Sequence, residues 1–226
     1  GGLSASHMRN EAAGLLDAIR ETLHIGEAAG VPVEVSHHKV SGRENWGTIR
    51  ASLRLLEDAR ARGLDVTADQ YPYTSGSTVL AAVVQNNALN EKGKQGGIGR
   101  LRPRDVLFAS TPNHPQYEGC TLEGLCDLFD LPPEEAARRV IDEEGTGAVV
   151  VLEMMDEEDV CTVMRHPTTL IGSDGVPSAG SRPHPRLYGT FPRVLGRYCR
   201  EEGVLSLEEA VQKMTGLAAT KLSLAD

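Results

Sequence analysis

Apolar residues recur along the chain at two alternating spacings, one helical and one extended. Their order predicts an α/β protein with parallel strands. Residues 3–7 predict the end of a short strand. From Glu11 onward Ala12, Leu15, Leu16, Ile19, Leu23 and Gly26 fall at helical spacing, and Gly30 closes the segment. Residues 31–35 predict a strand that leads into Ser36-His37-His38-Lys39. Ile49, Leu53, Leu56 and Ala59 mark a second helix, stopped at Gly63. The next strand, over 64–69, runs into Tyr71-Pro72-Tyr73 and a Ser/Gly/Thr loop. Over 80–118 the pattern fades, and Asn86, Asn87, Gly93, Gly96, Gly97 and Gly99 predict a loop-rich insertion with a strand at 105–110. Helices return at 122–129 and 132–144, the second opening on a proline whose missing N–H costs little in a first turn. A strand over 148–152, a helix over 156–165 ended by Pro167, and a strand over 168–171 follow. Two helices, 191–202 and 207–217, come last, the final one with Ser206 and Glu209 as a capping box.

Successive β-then-α units suit a (β/α) barrel or a doubly wound sheet, and periodicity alone does not choose between them. Polar residues cluster at the predicted strand ends, which favours the barrel, where those ends carry the chemistry. Three of them carry His7, His37 and Asp174. Composition narrows the classes of function. Lys and Arg total 23 and Asp and Glu 32, giving −9, and such an acidic chain repels nucleic-acid phosphates. No uninterrupted apolar run is long enough to span a membrane. Cys120, Cys126, Cys161 and Cys199 form no C-x-x-C pair and predict reduced thiols in a cytoplasmic protein.

Imidazole nitrogen is the usual zinc donor, and a carboxylate can serve as ligand or base. Water on a catalytic zinc reaches a pKa of about 7 and becomes a nucleophile at neutral pH. A neighbouring aspartate can take its proton and pass it to a departing amine. Neighbours on a strand face opposite ways, so one of His37 and His38 faces the strand-end cavity and the other packs elsewhere. Lys39 shares the parity of His37 and reaches the same cavity if the strand stays regular. His24, His114 and His166 have no supporting neighbours and are assigned to surface or structural roles. Asp69 and Asp174 also suit turns. The Gly175, Gly180 and Gly189 region matches no phosphate-loop fingerprint. Arg182, His184 and Arg186 suit two roles equally, guiding an anionic substrate or stiffening a proline-rich loop.

Four stretches together resemble the N-acyl-D-amino-acid deacylase (D-aminoacylase) family of the amidohydrolase superfamily. They are Ser6-His7-Met8-Arg9-Asn10-Glu11, then Ser36-His37-His38-Lys39 with Asn45-Trp46-Gly47, then Tyr71-Pro72-Tyr73-Thr74-Ser75-Gly76-Ser77-Thr78, and a long run over 171–217. That run holds Gly172-Ser173-Asp174-Gly175 and Arg182-Pro183-His184-Pro185-Arg186-Leu187-Tyr188-Gly189. The resemblance implies a zinc-dependent, TIM-like (β/α) barrel that hydrolyses the amide of N-acyl-D-amino acids. By matching motif, His7 and His37 are similar to the zinc-ligand histidines at the ends of strands five and six, and Asp174 to the strand-eight aspartate that acts as general base and acid. Lys39, Tyr71 and Ser77 match positions that line the substrate pocket. Lys39 suits a free carboxylate, and Tyr71 the carbonyl oxygen as it gains charge.

The resemblance also implies an earlier His-x-His pair and a cysteine ligand ahead of strand five, and neither precedes His7 in this chain. Residues 1–226 are therefore expected to be the C-terminal part of the barrel, roughly strands five to eight, with the insertion at about 80–118. The missing N-terminal half is its implied partner, alongside the small-molecule substrate, with no nucleic acid and no membrane. Two alternatives remain: a truncated, catalytically incomplete relative, or an amidohydrolase of cyclic amides such as a hydantoinase or dihydroorotase. The 182–195 run favours the D-aminoacylase branch over the latter.

Overall fold

Short strands, the first two each followed by an amphipathic helix, build one sheet, and a second sheet interrupts them. The computed structural model describes residues 2–90, 96–176 and 182–224, without the side chain of Thr146. Gly93 of the predicted insertion and Gly180 lie outside the described residues. The chain opens with β1 (Ser4–Ser6), α1 (Leu15–Ala29), β2 (Val33–Val35), α2 (Ile49–Ala61) and β3 (Val66–Gln70). Next come β4 (Ser75–Val79), α3 (Leu80–Gln85), β5 (Val106–Ser110), α4 (Leu122–Phe129), α5 (Pro133–Glu144) and β6 (Val149–Glu153). It closes with α6 (Glu157–Arg165), β7 (Thr169–Ile171), α7 (Arg186–Arg193) with a π-helical continuation over Val194–Glu201, α8 (Leu207–Met214) and α9 (Gly216–Lys221).

The first sheet is parallel throughout, in the order β1-β2-β3-β7. Its register aligns Ser6 with Val35, Val35 with Ala68, and Gln70 with Ile171, so all four C-terminal ends share one edge. Val33, Val35, Val66 and Ala68 pack against Leu15, Ile19 and Leu23 of α1 and Ile49, Leu53 and Leu56 of α2. Glu34 and Thr67 turn to the opposite face, where the Thr67 hydroxyl donates to the Glu34 carboxylate. Burial there pushes the Glu34 carboxyl up to about 7.

The second sheet departs from the expected parallel pairing. It is antiparallel, in the order β4-β6-β5, and sits between β3 and α6 in sequence. The stretch predicted as a Ser/Gly/Thr loop is β4, which pairs residue by residue with β6 from Ser75↔Glu153 to Val79↔Val149. Cross-strand pairing with an apolar neighbour overrides the weak strand propensity of Ser and Gly. Within the stretch where periodicity fades, α3 buries Leu80 and Val83. These two join Phe108, Val150, Leu152, Leu122, Leu125 and Val140 in a second core.

Three helix boundaries also differ from expectation. Glu11 spends its backbone on other segments, its N–H donating to Gly97 (2.8 Å) and its carbonyl accepting from Ser41 (2.7 Å), so α1 starts only at Leu15. α7 begins at Arg186, ahead of the expected 191, and holds Pro192 inside it. The π-helical turns follow at once, as suits a ladder that has lost one N–H. The last helix breaks at Thr215, whose φ of −134° is not helical. Lys213, on α8, donates to the carbonyls of His166 and Thr169 and ties that helix to β7.

Phe108 is fully buried between the second sheet and its helices. Phe108→Ala is expected to lower unfolding free energy by about 3–5 kcal/mol in a urea titration. A loss below about 1 kcal/mol would mean that this core is not packed as described.

Candidate active site

The parallel sheet delivers its polar residues to one edge because all four strands point the same way. His7 follows β1, His37 and Lys39 follow β2, Tyr71 follows β3, and Asp174 follows β7. His7 Nδ1 lies 2.6 Å from His37 Nε2, with the rings nearly perpendicular at 70°. On its other side, His37 Nδ1 lies 2.8 Å from Glu11 Oε1 and 2.8 Å from Lys39 Nζ. Lys39 Nζ in turn lies 2.5 Å from the same Glu11 oxygen. The side chains of His37, Glu11 and Lys39 are only 11%, 5% and 8% exposed.

His37 and Lys39 come within 2.8 Å of each other, but not by strand parity, because β2 stops at Val35 and the strand does not continue to them. His37 instead takes a left-handed turn, φ 40°, held by its N–H donating to Asp69 Oδ1 at 2.9 Å. Asp174 is left-handed too, φ 48°. Non-glycine residues in this region cost backbone energy, and such strain gathers at functional sites. His38 faces away and pairs its Nε2 with Ser52 Oγ at 2.9 Å. Burial pushes its imidazole down to about 3, so it stays neutral.

Burial alone would raise the Glu11 carboxyl, but the Lys39 ammonium and His37 outweigh it and hold Glu11 at about 2. Burial would lower Lys39, and Glu11 raises it above the ordinary lysine value instead. The two therefore form a buried ion pair at neutral pH. Burial pushes the Tyr71 phenol up, which keeps it a hydrogen-bond donor. Arg186 pairs with Asp174 at 2.8 Å and lies 4.5 Å from the Tyr71 ring centre, while Lys39 Nζ lies 5.8 Å from it. His37, Asp69 and Asp174 line one crevice of about 420 Å³.

Ser77 sits apart from this group. It lies on β4 and lines a second crevice of about 340 Å³ with Arg182, His184, Arg186 and Gly175. Arg186 belongs to both places. His184 holds the loop: its Nε2 lies 2.8 Å from Ser75 Oγ, and its Nδ1 accepts the Arg186 backbone N–H at 3.0 Å. Of the Arg182, His184 and Arg186 run, one residue thus stiffens the loop, one reaches Asp174 and one borders the crevice. His24 is exposed, His114 pairs with Glu144 at 2.7 Å, and His166 lies 3.2 Å from Glu57. All four cysteines are free thiols.

One side chain of the cluster escaped the sequence reading, Glu11, while Arg186, for which two roles stood open, pairs with Asp174. Glu11 looks like an ordinary first-turn acid ahead of an apolar helical repeat, and only its place four residues after His7 hinted otherwise. The facing nitrogens of His7 and His37 suit a metal ion. At most one of them can carry a proton between them, and a cation would satisfy both lone pairs. A second group with ligand chemistry, Glu157, Cys161 and Glu202, already holds a cation, because Arg197 reaches Glu157 at 3.0 Å and Glu202 at 2.6 Å. Among the described residues no helix is long and apolar enough to cross a membrane.

No protein-family model matches the chain. It is 41% identical over 230 aligned positions to the D-aminoacylase of Alcaligenes xylosoxydans xylosoxydans, covering 100% of this chain and 42% of that protein. It is 39% identical to the N-acyl-D-glutamate deacylase of the same organism, again over 100% of this chain and 42% of that protein. Among solved structures, N-acyl-D-glutamate deacylase from Bordetella bronchiseptica, complexed with zinc and a phosphonate inhibitor, aligns with a TM-score of 0.84 at 36% identity. That alignment covers 99% of this chain and 43% of the other. A D-aminoacylase with a binuclear metal center aligns at 0.83 and 38% identity, over 100% of this chain and 43% of the other. The chain spans about two fifths of the length of these relatives.

His184 gives the site region a pH signature. Burial, with Arg186 beside it, pushes His184 down from 6.5 to about 4. Between those values the unfolded chain binds a proton that the folded chain refuses, so stability falls as pH falls through that window. The expected slope is about 1.4 kcal/mol per pH unit for one such group. Unfolding titrations at several pH values should show His184→Gln with a shallower dependence, and an unchanged slope would exclude this origin.

Proposed function

From a chain that belongs to the N-acyl-D-amino-acid deacylase (D-aminoacylase) family and shares its α/β fold, we propose that the whole protein hydrolyses the amide of an N-acyl-D-amino acid. The products are a D-amino acid and a carboxylate. In this reading residues 1–226 are the C-terminal part of a TIM-like barrel, strands five to eight. β1, β2, β3 and β7 are those strands, and the antiparallel sheet is an insertion between the third and fourth of them. The observation that carries the proposal is the convergence of His7, His37, Lys39, Tyr71 and Asp174 at one edge of the parallel sheet.

His7 Nδ1 and His37 Nε2 would hold zinc, with further donors from the part of the relatives that this chain does not span. Bound there, zinc would supply a Lewis acid that activates water and polarises the amide. The chain's own residues do the rest. Asp174, at the mouth of the crevice, accepts the proton of the attacking water and delivers it to the leaving nitrogen. Arg186 restrains that carboxylate through their ion pair. Lys39 and Arg186 flank Tyr71 and make a cationic collar for the substrate's free carboxylate. The Tyr71 hydroxyl, kept protonated by burial, donates to the amide oxygen as charge builds on it. Ser77 and the crevice around it receive the part of the substrate beyond the reacting amide.

The test uses the whole protein with N-acetyl-D-amino acids and, in parallel, cyclic ureides. Asp174→Asn is expected to lose about 10²–10⁴-fold in kcat while retaining zinc. His7→Ala is expected to lose both zinc and turnover. Preferential cleavage of cyclic ureides, or an Asp174→Asn enzyme within threefold of the parent, would contradict the reading.

A further inference from the structure

Glu11 is a buried carboxylate beside His37 to which the mechanism above gives no task. We propose that Glu11 is a positioning residue of the metal site. Its carboxylate accepts the Nδ1–H of His37, holds that ring in the tautomer whose Nε2 is free for a cation, and anchors Lys39 through the same oxygen. This rests on the deacylase reading, which assigns the cation to His7 and His37.

A neutral imidazole carries one ring proton. For Nε2 to bind a metal the proton must sit on Nδ1, and a buried Nδ1–H needs an acceptor. His37 Nδ1 has two close neighbours, Lys39 Nζ and Glu11 Oε1, each at 2.8 Å. An ammonium only donates. Facing Lys39 alone, Nδ1 would become an acceptor and the proton would move to Nε2. There it would point at His7 Nδ1, 2.6 Å away, and occupy the place of the cation. Glu11 reverses that preference by drawing both the Nδ1 proton and the Lys39 ammonium to one oxygen. Lys39 has a further acceptor in the His37 carbonyl, at 3.1 Å, so it stays bonded when His37 donates to Glu11.

Glu11 is not placed to bind the same cation as His37 Nε2. The two nitrogens of the ring point to opposite sides, and the carboxylate is on the Nδ1 side. Its position is rigid, because its N–H is tied to Gly97 and its carbonyl to Ser41.

The experiment measures zinc dissociation by chelator competition in the whole protein, for Glu11→Ala and Glu11→Gln. Each is made in the native background and with Lys39→Met, and ¹⁵N NMR reports the His37 tautomer. Glu11→Ala is expected to weaken zinc binding about 10–100-fold. Glu11→Gln should lose less, since its amide oxygen still accepts Nδ1–H, and His37 in the zinc-free native protein should carry its proton on Nδ1. The loss on Glu11→Ala should shrink in the Lys39→Met background, where no ammonium drives the His37 proton to Nε2. A Glu11→Ala protein that holds zinc within threefold of native overturns the proposal, as does a loss undiminished once Lys39 is gone. If Glu11→Ala does not fold, the tautomer in the zinc-free native protein decides, and a His37 proton on Nε2 there overturns it. A native protein that binds no zinc at all defeats the deacylase reading, a different outcome from the Glu11 result.

Discussion

Beyond the C-terminal ends of β1 and β2, Glu11, His37 and Lys39 share one hydrogen-bonding triangle almost wholly out of water. Charges in such a place are stable only when each meets its partner, because removing one leaves the other buried and uncompensated. That requirement reaches into the backbone. The loop after β1 cannot wind into helix at Glu11, because Glu11 must face Lys39 while its peptide groups bond to Ser41 and Gly97. Gly99 shows how closely the segments meet, since a Cβ there would come within 2.7 Å of the Ser41 carbonyl oxygen. Three loops distant in sequence are thereby locked around one carboxylate.

The parallel sheet converts this local constraint into a site. Each β-helix-β crossover returns the chain to the same edge, so His7, His37, Tyr71 and Asp174 arrive together although up to 167 positions separate them (174 − 7). The antiparallel sheet packs in a core that also takes in Tyr71, Met164 and Ile171. It meets the loop after β2 through the Gly42 N–H on the Met154 carbonyl (3.0 Å) and the Trp46 indole N–H on the same carbonyl (3.2 Å). Arg186 then joins the two crevices from the far side, bonded to Asp174 and stacked near Tyr71. The site lies beside two packed cores, both of which include residues of α6.

Much of this was legible before any coordinates, and the division follows the physics. α2, α4 and α6 have strong periodicity, α4 and α6 also have side-chain N-caps in Thr121 and Asp156, and the sequence places these helices and the four parallel strands to within a few residues. β4 was hidden because Ser75-Gly76-Ser77 has no strand propensity of its own and takes its conformation from β6. The break at Thr215 and the π-helical turns after Pro192 depend on packing that a local pattern does not carry. His7, His37 and Asp174 were visible because polar residues at strand ends stand out against apolar runs. Glu11 was not, since its meaning comes from Lys39, 28 residues away. Lys39 and Tyr71 come to the cluster as the motif implied, whereas Ser77 lines a different crevice.

The central claim is that the facing nitrogens of His7 and His37 bind a metal ion. Anomalous diffraction at the zinc edge, from crystals of the whole protein, tests it most directly. The account predicts a zinc peak within bonding distance, about 2.0–2.1 Å, of both His7 Nδ1 and His37 Nε2. Zinc seated elsewhere, at Glu157, Cys161 and Glu202 for instance, with the His7–His37 pair still in direct contact, would contradict it.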